Sequence, residues 1–136
     1  MLPLRFPKGW QVASVVLLLL VLAAAITPSL WSGRDPVRIW FAPFDKWAHA
    51  VTFAFLAVWF AGLYRRNAYW RVALGLFLFG VLIEVCQRFV QYRTAEWFDV
   101  AADLAGIVVG LAIAFAGLGG WAMHVEAWYA RARPSS

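Results

Sequence analysis

Three groups that prefer water stand at the mouth of an apolar run in "FDKWAHAVTFAF", Phe44 to Phe55: Asp45, Lys46 and His49. A second stretch, "EVCQRFVQYRTAEWFDVAAD" from Glu84 to Asp103, repeats the pattern with Glu84, Gln87, Arg93, Asp99 and Asp103. An imidazole titrates near neutrality and can take up and return a proton. A neighbouring carboxylate can orient it. Arginine holds a phosphate by a planar fork, and lysine holds one as a point charge. Asp45 and His49 are four apart, Glu84 and Gln87 three apart, and Asp99 and Asp103 four apart, so on helices each pair shares a face. The candidate catalytic residues are therefore His49, Glu84, Asp45 and Asp99. The candidate substrate-binding residues are Arg93, Lys46, Gln87 and Asp103.

The same acids and His49 are also hard ligands of the kind that hold Mg²⁺ or Ca²⁺, or Zn²⁺ through the imidazole. No recognised zinc spacing is present, so no metal site is assigned. The chain has no phosphate loop, no GxSxG elbow and no dinucleotide fingerprint, and nothing in it names a cofactor.

The elements that carry these residues follow from composition. The 136 residues are 64% hydrophobic and 14% charged, with mean hydropathy +0.72. Soluble domains are about half apolar and about a quarter charged. Here the apolar residues fall in four long runs, at about 10–26, 45–64, 70–89 and 98–118. Each is near the ~20 residues that a tilted helix needs to cross a ~30 Å hydrocarbon core. The runs are continuous and not alternating, which excludes a β-barrel and leaves helices. The expected fold is all-α, a single 136-residue domain forming an integral membrane bundle of four transmembrane helices. Pro28 is expected to close the first helix. Asp45 and Asp99 stand where N-caps of the second and fourth would.

A net charge of +5 and a pI near 10.0 do not indicate nucleic acid here. The basic residues sit at the ends of apolar runs, where membrane topology uses them. Arg5, Lys8, Arg65, Arg66, Arg71, Arg131 and Arg133 fall on one side, and Arg34, Arg38, Lys46, Arg88 and Arg93 on the other. The richer side is expected to be cytoplasmic, and both termini with it. Six of the seven acids lie toward the opposite, extracytoplasmic side; Glu126 is the exception. Trp10, Trp70 and Trp121 mark the inner interface, and Trp31, Trp40, Trp47 and Trp97 the outer one, as amphipathic rings do. Arg5 and Lys8 with "AAA" at Ala23 to Ala25 also fit a signal peptide, but the near-spanning length favours a retained helix. Cys86 is alone, so there is no disulfide framework. Gly106 and Gly110, extended by Ala102 and Ala114, form a small-residue stripe expected to face another helix.

In "DKWAHAVTFAFLA" and "EVCQRFVQYRTAEWFDVAADLAGIVVG" the chain resembles the VanZ-like membrane proteins. Those have an Asp-Lys pair and a His three residues after the Lys, opening one helix. A Glu and a Gln three apart end the next helix, an Arg follows in the loop, and an Asp opens a Gly-containing last helix. The matching positions are Asp45, Lys46, His49, Glu84, Gln87, Arg93, Asp99, Gly106 and Gly110. They span about two thirds of the chain. Where the family often has Asn, this chain has Asp103, which adds an ionisable group. The resemblance implies a place in the bacterial cell envelope, at the inner membrane, and an association with glycopeptide (mainly teicoplanin) resistance. It supplies no reaction.

Three readings stay open. The chain is an enzyme or modifier acting on an envelope lipid or lipid-linked intermediate, or a non-catalytic binder of one. Alternatively, its polar groups only lock the helices together. A transporter is disfavoured, because four helices without repeated halves leave little room for alternating access. Composition does not fix the oligomeric state. Orientation is directly testable: reporter fusions after Arg66 and after Arg133 are expected to read as cytoplasmic, and one after Arg34 as exported. An exported signal at Arg66 inverts the topology.

Overall fold

The computed structural model describes the backbone of residues 1–31, 37–91 and 97–134, and the side chains of 1–26, 47–89 and 98–134. Among the described residues it is all-helical, without strands. The helices are α1 (Pro7–Trp31), α2 (Val37–Ala61), α3 (Tyr69–Gln91), α4 (Trp97–Ile113) and α5 (Trp121–Ala132). A 3₁₀ turn, Arg66–Ala68, leads into α3, and a π-helical segment, Ala114–Leu118, extends α4. Among the described residues three stretches are long and apolar enough to cross a bilayer: Pro7–Ile26, Arg66–Phe89 and Phe98–Leu118. Within α2, the described part Trp47–Ala61 is apolar as well. Large apolar side chains stay on the outside, such as Leu19 and Leu20 on α1, Leu78 on α3 and Val108 on α4. Lipid covers such a surface; water would not tolerate it.

Several boundaries differ from the sequence reading. Pro28 does not end α1, which runs on to Trp31. Asp45 does not cap α2, which begins at Val37 and has Pro43 in its interior. A proline removes one helical N–H, and in a membrane protein neighbouring groups can satisfy the freed carbonyl. Asp99 lies in the first turn of α4 and not before it, where a carboxylate still favours the positive end of the helix dipole. The chain also does not stop being helical at 118: α5 is an additional element.

α2 and α4 form the tightest pair. A Cβ added at Gly106 would collide with the Ala50 carbonyl, and one at Gly110 with Ala54 and Ala57. The glycine stripe therefore faces α2, as expected. Matching residues advance together along both helices, so α2 and α4 run parallel. α3 packs beside them, and Phe53, Leu56, Ala57, Val72, Leu76, Ile83 and Ile107 form the core. α1 lies on α3 and adds Leu17, Leu18, Val21, Leu22 and Ala25.

The end of the bundle that holds both termini is closed by α5. A helix leaves its last four carbonyls without helical donors. For α2, the Gly62 N–H still reaches Val58 O at 3.1 Å, and the Trp121 indole adds a second bond to that carbonyl at 3.0 Å. Tyr69 Oη and the Gly120 N–H donate to Ala61 O at 3.3 and 3.2 Å. Beyond the helix, the Leu2 N–H donates to Leu63 O at 2.8 Å. Any side chain at Gly62 would strike the Trp121 ring, so this approach requires glycine. Gly120 adopts φ 74°, a left-handed conformation that costs glycine little, at the turn into α5. Trp10, Trp59 and Trp121 pack together at ring-centroid distances of 5.2–5.9 Å. Trp10 and Trp121 thus belong to this packed, half-buried cluster and not to an outward aromatic belt, whereas Trp70 is exposed. Each indole needs an acceptor once it leaves water. Trp59 Nε1 donates to Ser14 Oγ at 3.0 Å, and Ser14 in turn donates to Trp10 O at 2.8 Å.

Trp10 Nε1 donates to Glu126 Oε1 at 2.9 Å. The N–H groups of Arg5 and Phe6 donate to the same carboxylate at 2.7 and 3.1 Å. α1 begins with Pro7, a favoured first residue, and Trp10 N closes its first turn on Phe6 O. A capping-box glutamate three residues into the helix would serve the Phe6 N–H, but Gly9 stands there. Glu126 supplies that carboxylate from α5. Burial pushes its carboxyl up, yet the bonds from Arg5, Trp10 and Phe6 and the Arg5 charge outweigh it and hold the carboxyl below its ordinary value. A carboxylate depressed by folding stabilises at all pH above its unfolded value, about 4.3, and that contribution is lost as pH falls through the lower folded value. Glu126→Gln is expected to cost about 1–3 kcal/mol of stability at neutral pH. Thermal unfolding should show the difference between wild type and variant shrinking below about pH 4; a constant difference would remove the charge from the explanation.

Candidate functional site

The opposite end of the bundle holds His49, Asp99 and Asp103, with Glu84 on the facing helix. The α2–α4 register sets their placement. His49 precedes Ala50, which meets Gly106, and Asp103 lies three residues before Gly106 on α4. His49 Nδ1 and Asp103 Oδ1 are consequently 2.9 Å apart. The Asp103 side chain is 3% exposed and that of His49 11%, so one partner is sealed and the other remains reachable. With Asp103 ionised, the carboxylate only accepts hydrogen bonds and Nδ1 carries the hydrogen. In the neutral ring this leaves Nε2 with its lone pair. The pair becomes an ion pair if His49 takes up a second proton.

α3 closes against this pair. A Cβ at Gly80 would stand 2.7 Å from Asp103 Oδ2 and 3.3 Å from the tip of Phe53. The absence of a side chain at 80 is what lets α3 lie over the carboxylate. Gly80 is a positioning residue that residue-type reasoning passed over, because its role exists only across helices. The available signal was a glycine one turn before Glu84 in "FGVLIE".

Glu84 is half-buried and four residues beyond Gly80, on the same face of α3. α3 runs antiparallel to α4, so Glu84 lies level with Asp99, one turn before Asp103. Asp99 is 1% exposed. Both Glu84 and Asp99 take part in interactions. Gln87 turns elsewhere: its Nε2 donates to Ala25 O on α1 at 3.0 Å. That carbonyl lies next to Ala24, whose helical donor Pro28 removes, so Gln87 anchors α1 where its hydrogen-bond ladder is interrupted. The sequence reading grouped Gln87 with the substrate-binding residues, and its observed partner is main chain. It placed Asp103 beneath the cluster, whereas Asp103 is the direct partner of His49. The side chains of Asp45 and Lys46, and Arg93 as a whole, lie outside the described residues.

Chemically, the arrangement is a buried carboxylate orienting an imidazole whose far nitrogen can accept or return a proton. Among the described residues no three His, Cys, Asp or Glu side chains are grouped to hold a metal ion. Glu126 is the buried acid that the sequence reading left among the tail residues. Its helix was the missed signal, since Ala122 and Glu126 are four apart and share the docked face.

A family model described as VanZ/LLP1 matches residues 6–118, which includes every residue of this site and excludes α5. No curated protein and no solved structure matches the chain. The tautomer can be observed. In ¹⁵N-histidine NMR of the labelled protein, neutral His49 is expected to carry its proton on Nδ1. Asp103→Leu should return it to Nε2, and Gly80→Ala should weaken the Nδ1 signature by displacing the carboxylate. An Nε2–H ring in the wild type would remove Asp103 as its orienting partner.

Proposed function

The chain belongs to the VanZ/LLP1 family, and from that premise we propose that it is a bacterial inner-membrane protein with a site for a cell-envelope lipid or lipid-linked intermediate. In this reading α1 to α4 span the bilayer, both termini are cytoplasmic and the His49 end faces outward. The association with glycopeptide (teicoplanin) resistance, which the resemblance implies, fits a protein that works on envelope lipid intermediates at that face.

The observation that carries the proposal is the His49–Asp103 contact of 2.9 Å, with the carboxylate sealed and the ring still reachable. Ionisable groups at membrane depth are costly, and they commonly line a site or a wet cavity. His49 acts as the acid–base group through Nε2, with Asp103 positioning it. Glu84 and Asp99 add negative charge at the same level, and Asp45, four residues before His49 in the sequence, is the further acid of this reading. Arg93 and Lys46 are the cations available to a phosphate headgroup. Binding without turnover uses the same groups and is the second form of this reading.

A purely structural role is favoured by one observation, the Gln87 bond to the Ala25 carbonyl, because it shows one of these polar residues acting as a helix fastener. His49→Ala separates the readings. A functional His49 predicts insertion and abundance near normal with loss of the envelope phenotype, and, for an acid–base group, turnover lowered by about a hundredfold or more. A structural His49 predicts reduced abundance, with the phenotype following it. Normal abundance together with a normal phenotype would remove His49 from the function.

A further inference from the structure

Among the described residues, the end of the bundle away from His49 is rich in cations. Arg5 and Lys8 at the start of α1 are exposed, as are Arg65, Arg66 and Arg71 around the α2–α3 turn and Arg131 and Arg133 at the end of α5. The single acid among the described residues of that end, Glu126, is buried and engaged by three donors. Its charge is turned inward toward Arg5 and the start of α1, and among the described residues the other cations of this surface have no acid beside them.

Aromatic rings stand among these cations. Trp70 is 62% exposed and Trp128 68% exposed. The Arg71 guanidinium lies 5.2 Å from the Trp70 ring, and that of Arg133 lies 4.9 Å from the Tyr129 ring. α5 itself is apolar beyond the face it uses for docking. Ala122 and Glu126 are buried, whereas Met123, Val125 and Trp128 remain exposed. Only His124 and Arg131, seven residues apart, make a polar strip on its other side. A helix surrounded by water has no reason to keep Val125 and Trp128 uncovered. A helix lying at the headgroup level covers them with acyl chains and leaves its basic residues among phosphates.

We infer that α5 is an interface helix, and that the exposed cations and aromatic rings of this end form a rim that binds anionic phospholipid headgroups. The family match ends at residue 118, so the α5 part of this rim, with Trp128 and Arg131, lies beyond the matched residues, whereas Lys8, Arg65, Arg66, Trp70 and Arg71 lie within them. Charge complementarity selects the occupant, because zwitterionic lipid offers no net charge to an unopposed cationic rim. Each basic residue near an anionic surface raises affinity on the order of fivefold.

The test uses the full chain in nanodiscs of phosphatidylcholine alone and of phosphatidylcholine mixed with phosphatidylglycerol. The wild-type Tm is expected to rise with phosphatidylglycerol, and high salt should erase the rise. The combined variant Arg65→Gln, Arg66→Gln, Arg131→Gln, Arg133→Gln should lose most of that rise relative to its own Tm in phosphatidylcholine. An equal rise in the variant, or none in the wild type, overturns the rim. A spin label on Trp128→Cys in a Cys86→Ser background reports depth independently. A label at the headgroup–acyl boundary supports the interface helix, and a label in bulk water overturns it.

Discussion

α2 and α4 touch backbone to backbone along Ala50, Ala54, Gly106 and Gly110, and the rest of the molecule is arranged around that contact. Lipid gives little hydrophobic drive for helices to associate, so close approach and polar bonds must hold them. The contact also sets the register. A slip of one helical turn, about 5.4 Å, would separate His49 from Asp103. α3 can then lie over the carboxylate only because Gly80 has no side chain. Glycines on two helices thus determine the geometry of a site made of an acid and an imidazole.

The two ends of the bundle bury a carboxylate in different ways. Glu126 is met by three N–H donors, two of them main chain, and it closes α1 onto α5. A carboxylate so satisfied has no remaining need of a titrating partner, and its role is structural. Asp103 instead pairs with a ring that can change its own charge and whose second nitrogen is not committed to that bond. The difference is chemical. A fixed donor set stabilises one protonation state, whereas an imidazole partner lets a proton come and go. This contrast is why the His49 end carries the functional proposal and the Glu126 end carries the anchoring one.

Anchoring at the terminal end also explains its concentration of tryptophan. Trp10, Trp59 and Trp121 fill the space between α1, α2 and α5, and their indole N–H groups go to Glu126, Ser14 and Val58 O. The bulk of the rings packs the cap, and each indole N–H finds an acceptor within it. Trp70 and Trp128 lie outside that cluster and are exposed.

The sequence by itself determined the all-helical class, the membrane-length apolar runs, the small-residue stripe and the identity of His49, Glu84, Asp99 and Asp103 as polar groups set into apolar helices. Those features depend on local composition and on a 3.6-residue period, which one chain displays directly. It did not locate the helix ends, because Pro28 reads as a break although the helix can continue where a neighbouring group satisfies the freed carbonyl. Nor did it assign partners. That Asp103 holds His49, that Gln87 reaches Ala25, and that Glu126 caps a helix 120 residues away are facts of register and docking. Such pairings are decided between helices, where sequence separation carries no distance, and only the tertiary structure brings the donor to the acceptor.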